Sequence, residues 1–390
     1  MQHRWTAGVI AVMLALSGCA ATKHSDHEPT ANASAAGAAT HHSASAKPVK
    51  QLPLRPGERR TTLRLPTAYT PSAPYGQGTD DYRCFLLDPK LTKPAFLTGY
   101  NVLPDNVNVV HHVILFKADP DRIDAARRLD KASPGPGWTC FGNSGIEKTG
   151  SIDDAPWLGA WAPGGSERRY VKGFGMPLKS GTQVIVQMHY NLLQNPGPDQ
   201  SSVALRLARA GGKVKPLHTF LAVAPVELPC RPGHKQSELC DREAATADVR
   251  ARFGAAGNTA DLLHLLCGEI KPGRTQSCAR NANRAMTIRA VAGHMHLLGS
   301  RIKVELFPAG GGRRTLLDLK PWNFDNQEAI SLKRPVKVQP FDKIKVTCTH
   351  SQRLRDLLPA FESQREDRYV VWGEGSTDEM CLGIIVATYK

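Results

Sequence analysis

Apolar residues in this chain come in short runs separated by glycine, proline and asparagine, and long stretches with a helical period are few. Thr61–Leu65 alternates polar and apolar as an edge strand does, and Asp81–Leu87 is a second strand closed by Asp88-Pro89. Val107–Phe116 is a run of β-branched and aromatic residues, and Gly181–Asn191 is another strong strand. After them come Thr219–Pro229, the run around Gly293–Gly299, Ile302–Phe307, Arg334–Val338, Lys343–Cys348 and a final strand over Met380–Tyr389. A helical pattern is confined to Asp241–Phe253 and Thr259–Leu266, both inside the interval between Cys230 and Cys278. Strand after strand with turn residues between them predicts an all-β protein built of sandwiches, with a small disulfide-closed helical insertion at about 230–278.

At 390 residues the chain exceeds one ordinary core. We place two consecutive β-sandwich domains at 59–212 and 213–390, with the boundary near Gly211-Gly212. Ahead of them, Arg4, the apolar run from Ala7 to Leu16 and then Ser17-Gly18-Cys19 resemble a bacterial lipoprotein signal. This predicts a signal peptide over 1–18, lipidation at Cys19 and attachment to the cell envelope, on the outer membrane or its periplasmic face in an organism with two membranes. Residues 19–58 are poor in large apolar side chains and predict a disordered tether.

Composition sharpens the address. Nine cysteines less Cys19 leave eight, an even number in an exported chain, so disulfides are expected. The formal charge of +15 suits anionic envelope surfaces. No basic module with base-stacking aromatic residues accompanies it, so no nucleic-acid partner is expected.

The candidate chemistry lies in histidines. His294 and His296, two apart on a strand, can present both imidazoles on one face. His111 and His112 are adjacent, and a regular strand would turn them to opposite faces, so a bulge is needed to bring both to one metal. Gln187 and His189 share a face of their strand, and Met380 opens the last strand on the face of Leu382 and Ile384.

Taken in order, His111-His112-Val-Ile-Leu-Phe, Gln187-Met-His189-Tyr, His294-Met-His296-Leu-Leu-Gly and Ser-Thr-Asp-Glu-Met380-Cys381 resemble the motifs of the copper type II, ascorbate-dependent monooxygenases. That family includes peptidylglycine α-hydroxylating and dopamine β-monooxygenases, and the resemblance covers roughly residues 80–215 and 280–390. It implies two jelly-roll-type sandwiches facing across a cleft and two coppers per chain. His111, His112 and His189 would hold the electron-transfer copper; His294, His296 and Met380 would hold the oxygen-activating one. Gln187 would stand near the first site. Imidazole suits copper in both oxidation states and the thioether favours Cu(I). The resemblance also implies disulfides Cys84–Cys140 and Cys348–Cys381, while Cys230, Cys240, Cys267 and Cys278 keep three possible pairings.

The expected activity is hydroxylation of a C–H bond with dioxygen and an external reductant, ascorbate or a bacterial substitute, by a monomer. The alternative is a non-catalytic copper-binding or copper-delivery envelope lipoprotein. Val113 and Ala118 depart from the family pattern, as do Thr287 and Arg289. Where the peptide-hydroxylating relative holds its substrate with arginine, asparagine and tyrosine, this chain has Ala292, Leu382 and Ile384. Arg289 lies an odd number of residues from His294 and on a regular strand faces away from the ligands. A small, neutral or aromatic substrate is therefore expected.

Overall fold

The computed structural model describes residues 51–74, 79–146, 155–193, 197–211 and 213–390. The expected signal peptide, Cys19 and most of the expected tether lie outside them. Residues 52–58 lie against the first sheet, with the carbonyls of Leu52 and Pro53 accepting from the buried guanidinium of Arg206 at 3.0 and 2.7 Å.

The described residues are mostly strand, and nearly all pairings are antiparallel. In the first half, Glu58–Arg64, Ser202–Arg209, Ala95–Leu103, Phe174–Leu178 and Lys215–Pro216 form one sheet, with Arg168–Arg169 beside Ala95–Leu103. Opposite it stand Trp138–Thr139, Asp80–Leu87, Gln183–Asn191, Val110–Ala118 and Trp157–Trp161. One apolar core joins the two, with Leu97, Val102 and Leu205 from the first and Phe85, Val113 and Val186 from the second.

In the second half, His218–Val223, Leu382–Tyr389, Met286–His294 and Ile330–Val338 make one sheet, and Thr275–Asn281, Lys343–His350, Gly299–Phe307 and Arg314–Leu319 make another. Their core, with Ile288, Val304, Val346 and Ile385, continues onto the outer face of the first half through Phe116 and Ile185. Helices Arg242–Phe253 and Thr259–Cys267 fill the predicted insertion. Helix Ile123–Ala132 in the first half was not anticipated. Four disulfides are present: Cys84–Cys140 and Cys348–Cys381, as the resemblance implied, and Cys230–Cys240 and Cys267–Cys278, which resolve the open pairing.

Gln183–Asn191 shows how the fold makes a site. It is a central strand buried on both faces, so alternate residues serve two environments. Val184, Val186, Met188 and Tyr190 enter the first core. Gln187 and His189 turn the other way, into a cavity between the halves.

Candidate metal centre

His112 lies directly across from His189 in the strand register, and the pairing slips between Val110 and His112. That slip is the bulge the adjacent histidines required, and it gathers both beside His189. The ligand nitrogens of His111, His112 and His189 all lie within 4.8 Å of one another. The Nδ1 atoms of His112 and His189 are 3.2 Å apart.

Asp80, on the neighbouring strand, orients this trio. Its carboxylate accepts from His189 Nε2 at 2.8 Å, and also from Ser376 Oγ at 2.8 Å and Thr79 Oγ1 at 3.0 Å. With the proton of His189 on Nε2, its Nδ1 keeps a lone pair directed at the trio. Tyr82 stacks on the His189 ring at 4.1 Å and fixes its plane. Burial raises the Asp80 carboxyl, but the hydrogen bonds from His189, Ser376 and Thr79 outweigh it and hold the group below its ordinary range.

The second set is built at a strand end. His294 is the last residue of Met286–His294, so the expectation that both histidines share a strand is corrected: His296 stands in the turn beyond. A fully buried carboxylate imposes that turn. Glu379 accepts from the backbone N–H of His296 at 3.0 Å, Leu298 at 2.5 Å and Met380 at 3.2 Å, tying the His-x-His turn to the methionine. The last strand begins at Leu382, so Met380 precedes it, yet Met380, Leu382 and Ile384 line the same cavity as His294 and His296. Cys381 turns away to bond Cys348.

The two sets are in contact across the interface of the halves. The rings of His112 and His294 lie 5.8 Å apart, and Gln327 spans them. Its Nε2 donates to His112 Nε2 at 3.0 Å and its Oε1 accepts from His294 Nδ1 at 2.5 Å. Phe324 from the same loop packs on His111 at 4.6 Å and on His112 at 5.4 Å. The cleft implied by the resemblance is closed here.

Burial strips these imidazoles of water. It lowers His294 and His296 to about 4, and holds His112 far below its usual range, with the neighbouring histidines adding to the effect. All three are neutral at physiological pH, as metal ligation requires. The Nδ1 of His296 is buried with no hydrogen-bond partner among the described residues, which leaves it available as a ligand atom. Three converging imidazoles in one set, and two imidazoles and a thioether lining one cavity in the other, are donor types that suit copper.

His112 and His189 of the first set and His294, His296 and Met380 of the second line one cavity of about 670 Å³. Gln187 shares it, its amide donating to the Asn143 carbonyl at 3.3 Å. Ala292, Leu382 and Ile384 form apolar wall. Arg289 also lines the cavity, which corrects the parity argument: the register slips between Ile288 and Ala290, and this bulge reverses the facing of Arg289 relative to His294. Its guanidinium lies over the Phe174 ring at 3.7 Å. Glu374, buried in the same wall, has its carboxyl pushed up to about 8 by burial, with the charge of Asp378 adding to the effect.

Asp80, Gln327, Phe324 and the capping role of Glu379 were missed from sequence. Only Glu379 left a signal, in the Asp-Glu-Met-Cys run. The others reach the site through strand and loop neighbours distant in the chain.

Solved structures offer only weak likeness. The major capsid protein P2 of bacteriophage PM2 covers 85% of this chain and 98% of its own at 9% identity, with a TM-score of 0.31. A Paenibacillus xanthan lyase covers 88% and 27% at 13% identity and 0.19, and allantoicase from Saccharomyces cerevisiae covers 80% and 78% at 12% and 0.16. These similarities carry no argument. No curated protein matches the chain. Residues 272–388, which include His294, His296 and Met380, match the family model for the copper type II ascorbate-dependent monooxygenase, C-terminal domain. This segment is thus similar to the C-terminal domain of the copper type II, ascorbate-dependent monooxygenases.

Proposed function

We propose that the protein is a two-copper monooxygenase that hydroxylates a C–H bond of a small, neutral, apolar or aromatic molecule with dioxygen and an external reductant. The observation that carries this reading is the convergence of residues from both ligand sets on one largely apolar cavity. A protein that only stored or delivered copper would have no use for such a space beside its ligands. In this reading the paired sheets of each half are two jelly-roll sandwiches. The chain is exported as a monomer and anchored through Cys19, an address that the four disulfides support.

His111, His112 and His189 would hold one copper, and His294, His296 and Met380 the other. Bound copper supplies single-electron transfer and activation of dioxygen, one oxygen atom entering the substrate and the other leaving as water. The chain contributes position and environment. Asp80 fixes the His189 tautomer, Glu379 fixes His296 relative to Met380, and Gln327 with Phe324 closes the space between the sets. Ala292, Leu382 and Ile384 receive an apolar substrate beside the second set without charge.

The test is a product screen by mass spectrometry with copper-loaded protein, a reductant and isotopically labelled dioxygen. Incorporation of one labelled atom into an apolar or aromatic substrate supports the reading. Efficient hydroxylation of a glycine-extended peptide, lost in Arg289→Ala, overturns the neutral-substrate assignment. Copper binding without any labelled product overturns the enzyme.

A further inference from the structure

The outer face of helix Thr259–Cys267 is apolar. Its inner side holds it to the fold: Ala260 and Leu263 are buried, Cys267 bonds Cys278, and His264 Nε2 lies 2.6 Å from Glu227 Oε1. At about 3.6 residues per turn the opposite side carries Leu262, Leu265 and Leu266, which are 59%, 85% and 42% exposed. A surface helix ordinarily turns charged or polar residues outward. Here the one acid of the helix, Asp261, is paired with Arg242 and Arg250. Leu262, Leu263 and Leu266 also line the cavity that holds His294 and His296, so its apolar lining continues onto the surface at this helix.

The chain that leaves this helix is basic. Between Gly268 and Arg284 it carries Lys271, Arg274, Arg280 and Arg284 against a single acid, Glu269. The Cys267–Cys278 bond holds strand Thr275–Asn281 beside the helix, and Lys271, Arg274 and Arg284 are exposed. Leucines flanked by lysine and arginine are complementary to a bilayer with anionic headgroups, since the apolar side chains enter the acyl boundary and the cations meet the phosphates. A protein partner fits this face less well. Hot spots of protein interfaces are built from Trp, Tyr and Arg with leucine under-represented, and they need a matching pocket, whereas lipid accepts aliphatic side chains of any shape.

We propose that the face made by Leu262, Leu265 and Leu266 docks on an anionic phospholipid bilayer and that the cavity draws its substrate from the lipid. The docking surface stands on the helix and its charges alone. The second part rests on the monooxygenase reading above and narrows the substrate to a molecule that partitions into a bilayer. Such a molecule passes Leu262 and Leu266 into the apolar cavity without crossing water.

The test uses the protein with Cys19→Ser, so that no acyl chain supplies the attachment. It is sedimented with vesicles of phosphatidylglycerol and phosphatidylcholine in equal parts, and with vesicles of phosphatidylcholine alone. Binding should be saturable and tighter on the anionic vesicles. Leu265→Ser, at an exposed position outside the cavity lining, should weaken it about tenfold and leave copper content unchanged. A polarity-sensitive fluorophore on Leu265→Cys should shift to the blue when vesicles are added. Absence of binding, binding that Leu265→Ser leaves intact, or a fluorophore that stays in water overturns the docking surface. Self-association lost in Leu265→Ser, with no blue shift on vesicles, assigns the face to a second copy and overturns it too. For the substrate, vesicles carrying mixed alkylbenzenes and alkylphenols are given to copper-loaded protein with reductant and labelled dioxygen. Labelled product in the lipid phase should fall with vesicle binding in Leu265→Ser; product confined to water-soluble substrates overturns delivery from lipid. Docking by a protein that yields no labelled product from any substrate leaves the face standing and refutes the hydroxylase reading instead.

Discussion

Replacing Asp80 tests the histidine trio at the point where the structure says most about it. The carboxylate accepts from His189 Nε2 at 2.8 Å with both side chains under a tenth exposed, and Ser376 and Thr79 also donate to it. In Asp80→Asn the amide oxygen can still accept from His189 and Ser376, and the Thr79 hydroxyl can reverse its role to accept from the new NH₂ group. Tautomer and ring position should survive while the charge that makes the imidazole a stronger ligand is lost. In Asp80→Ala the Nε2 proton loses its acceptor, and His189 is free to turn or to change tautomer. Outer-sphere partners of this kind contribute about 10–100-fold to metal affinity, or roughly 1.4–2.7 kcal/mol. We expect Asn near the lower figure and Ala near the upper. The assay is competition for Cu(I) between protein and a chromogenic chelator, resolving the two sites. Loss should fall on the trio alone, since Asp80 hydrogen-bonds none of His294, His296 or Met380. Unchanged trio affinity in Asp80→Ala would refute the orienting role.

Met380→Ala should keep copper at the trio and abolish turnover, read by metal analysis beside product formation; full hydroxylation would remove Met380 from the site. Gln327→Glu should tighten the trio for copper severalfold, on the order of 1 kcal/mol. Metal at His112 Nδ1 moves that ring's proton to Nε2, and a carboxylate can accept from both His112 and His294 where the amide offers one oxygen; weaker binding in the variant would contradict this. In metal-free protein, His294 and His296 stay neutral down to about 4 when folded, against about 6.5 when unfolded. The unfolded chain therefore binds more protons between these values, and stability contributed by the pair falls as pH drops from 6.5 toward 4, by about 3 kcal/mol for each imidazole. Denaturant midpoints across that window check the sign, and copper loading at the pair should hold until pH approaches 4.

The strands were legible because their apolar runs are short and β-branched, and Gln187 and His189 could be assigned to one face because their strand is regular. The His111-His112 pair even carried its own requirement for a bulge, which the slip after Val110 meets. Where parity failed, the backbone had left regular geometry for reasons outside the local sequence. Arg289 sits at a slip set by two partner strands, and His296 leaves its strand because Glu379, more than eighty residues later, captures the backbone amides around it. Helix Ile123–Ala132 is different, since the spacing of Ile123, Ala126 and Leu129 among charged residues is a helical signal that the proline-rich surroundings obscured.

Contact between the ligand sets changes what the fold must do in turnover. If the halves faced each other across open solvent, the space between the sets would be filled by water and electrons would have to cross it or wait for closure. Here Gln327 touches both sets, Phe324 covers the first, and Ser376 of the second half donates to Asp80 behind the first. The chain thus links the sets twice, once through the amide between His112 and His294 and once through the carboxylate behind His189. Each link joins a residue from one half to a ligand or ligand partner from the other, so a movement that opened the cavity would break both together. Substrate entry by domain separation would therefore disturb the tautomers of His112 and His189 at the same moment, whereas entry past mobile side chains along the apolar wall would leave them in place.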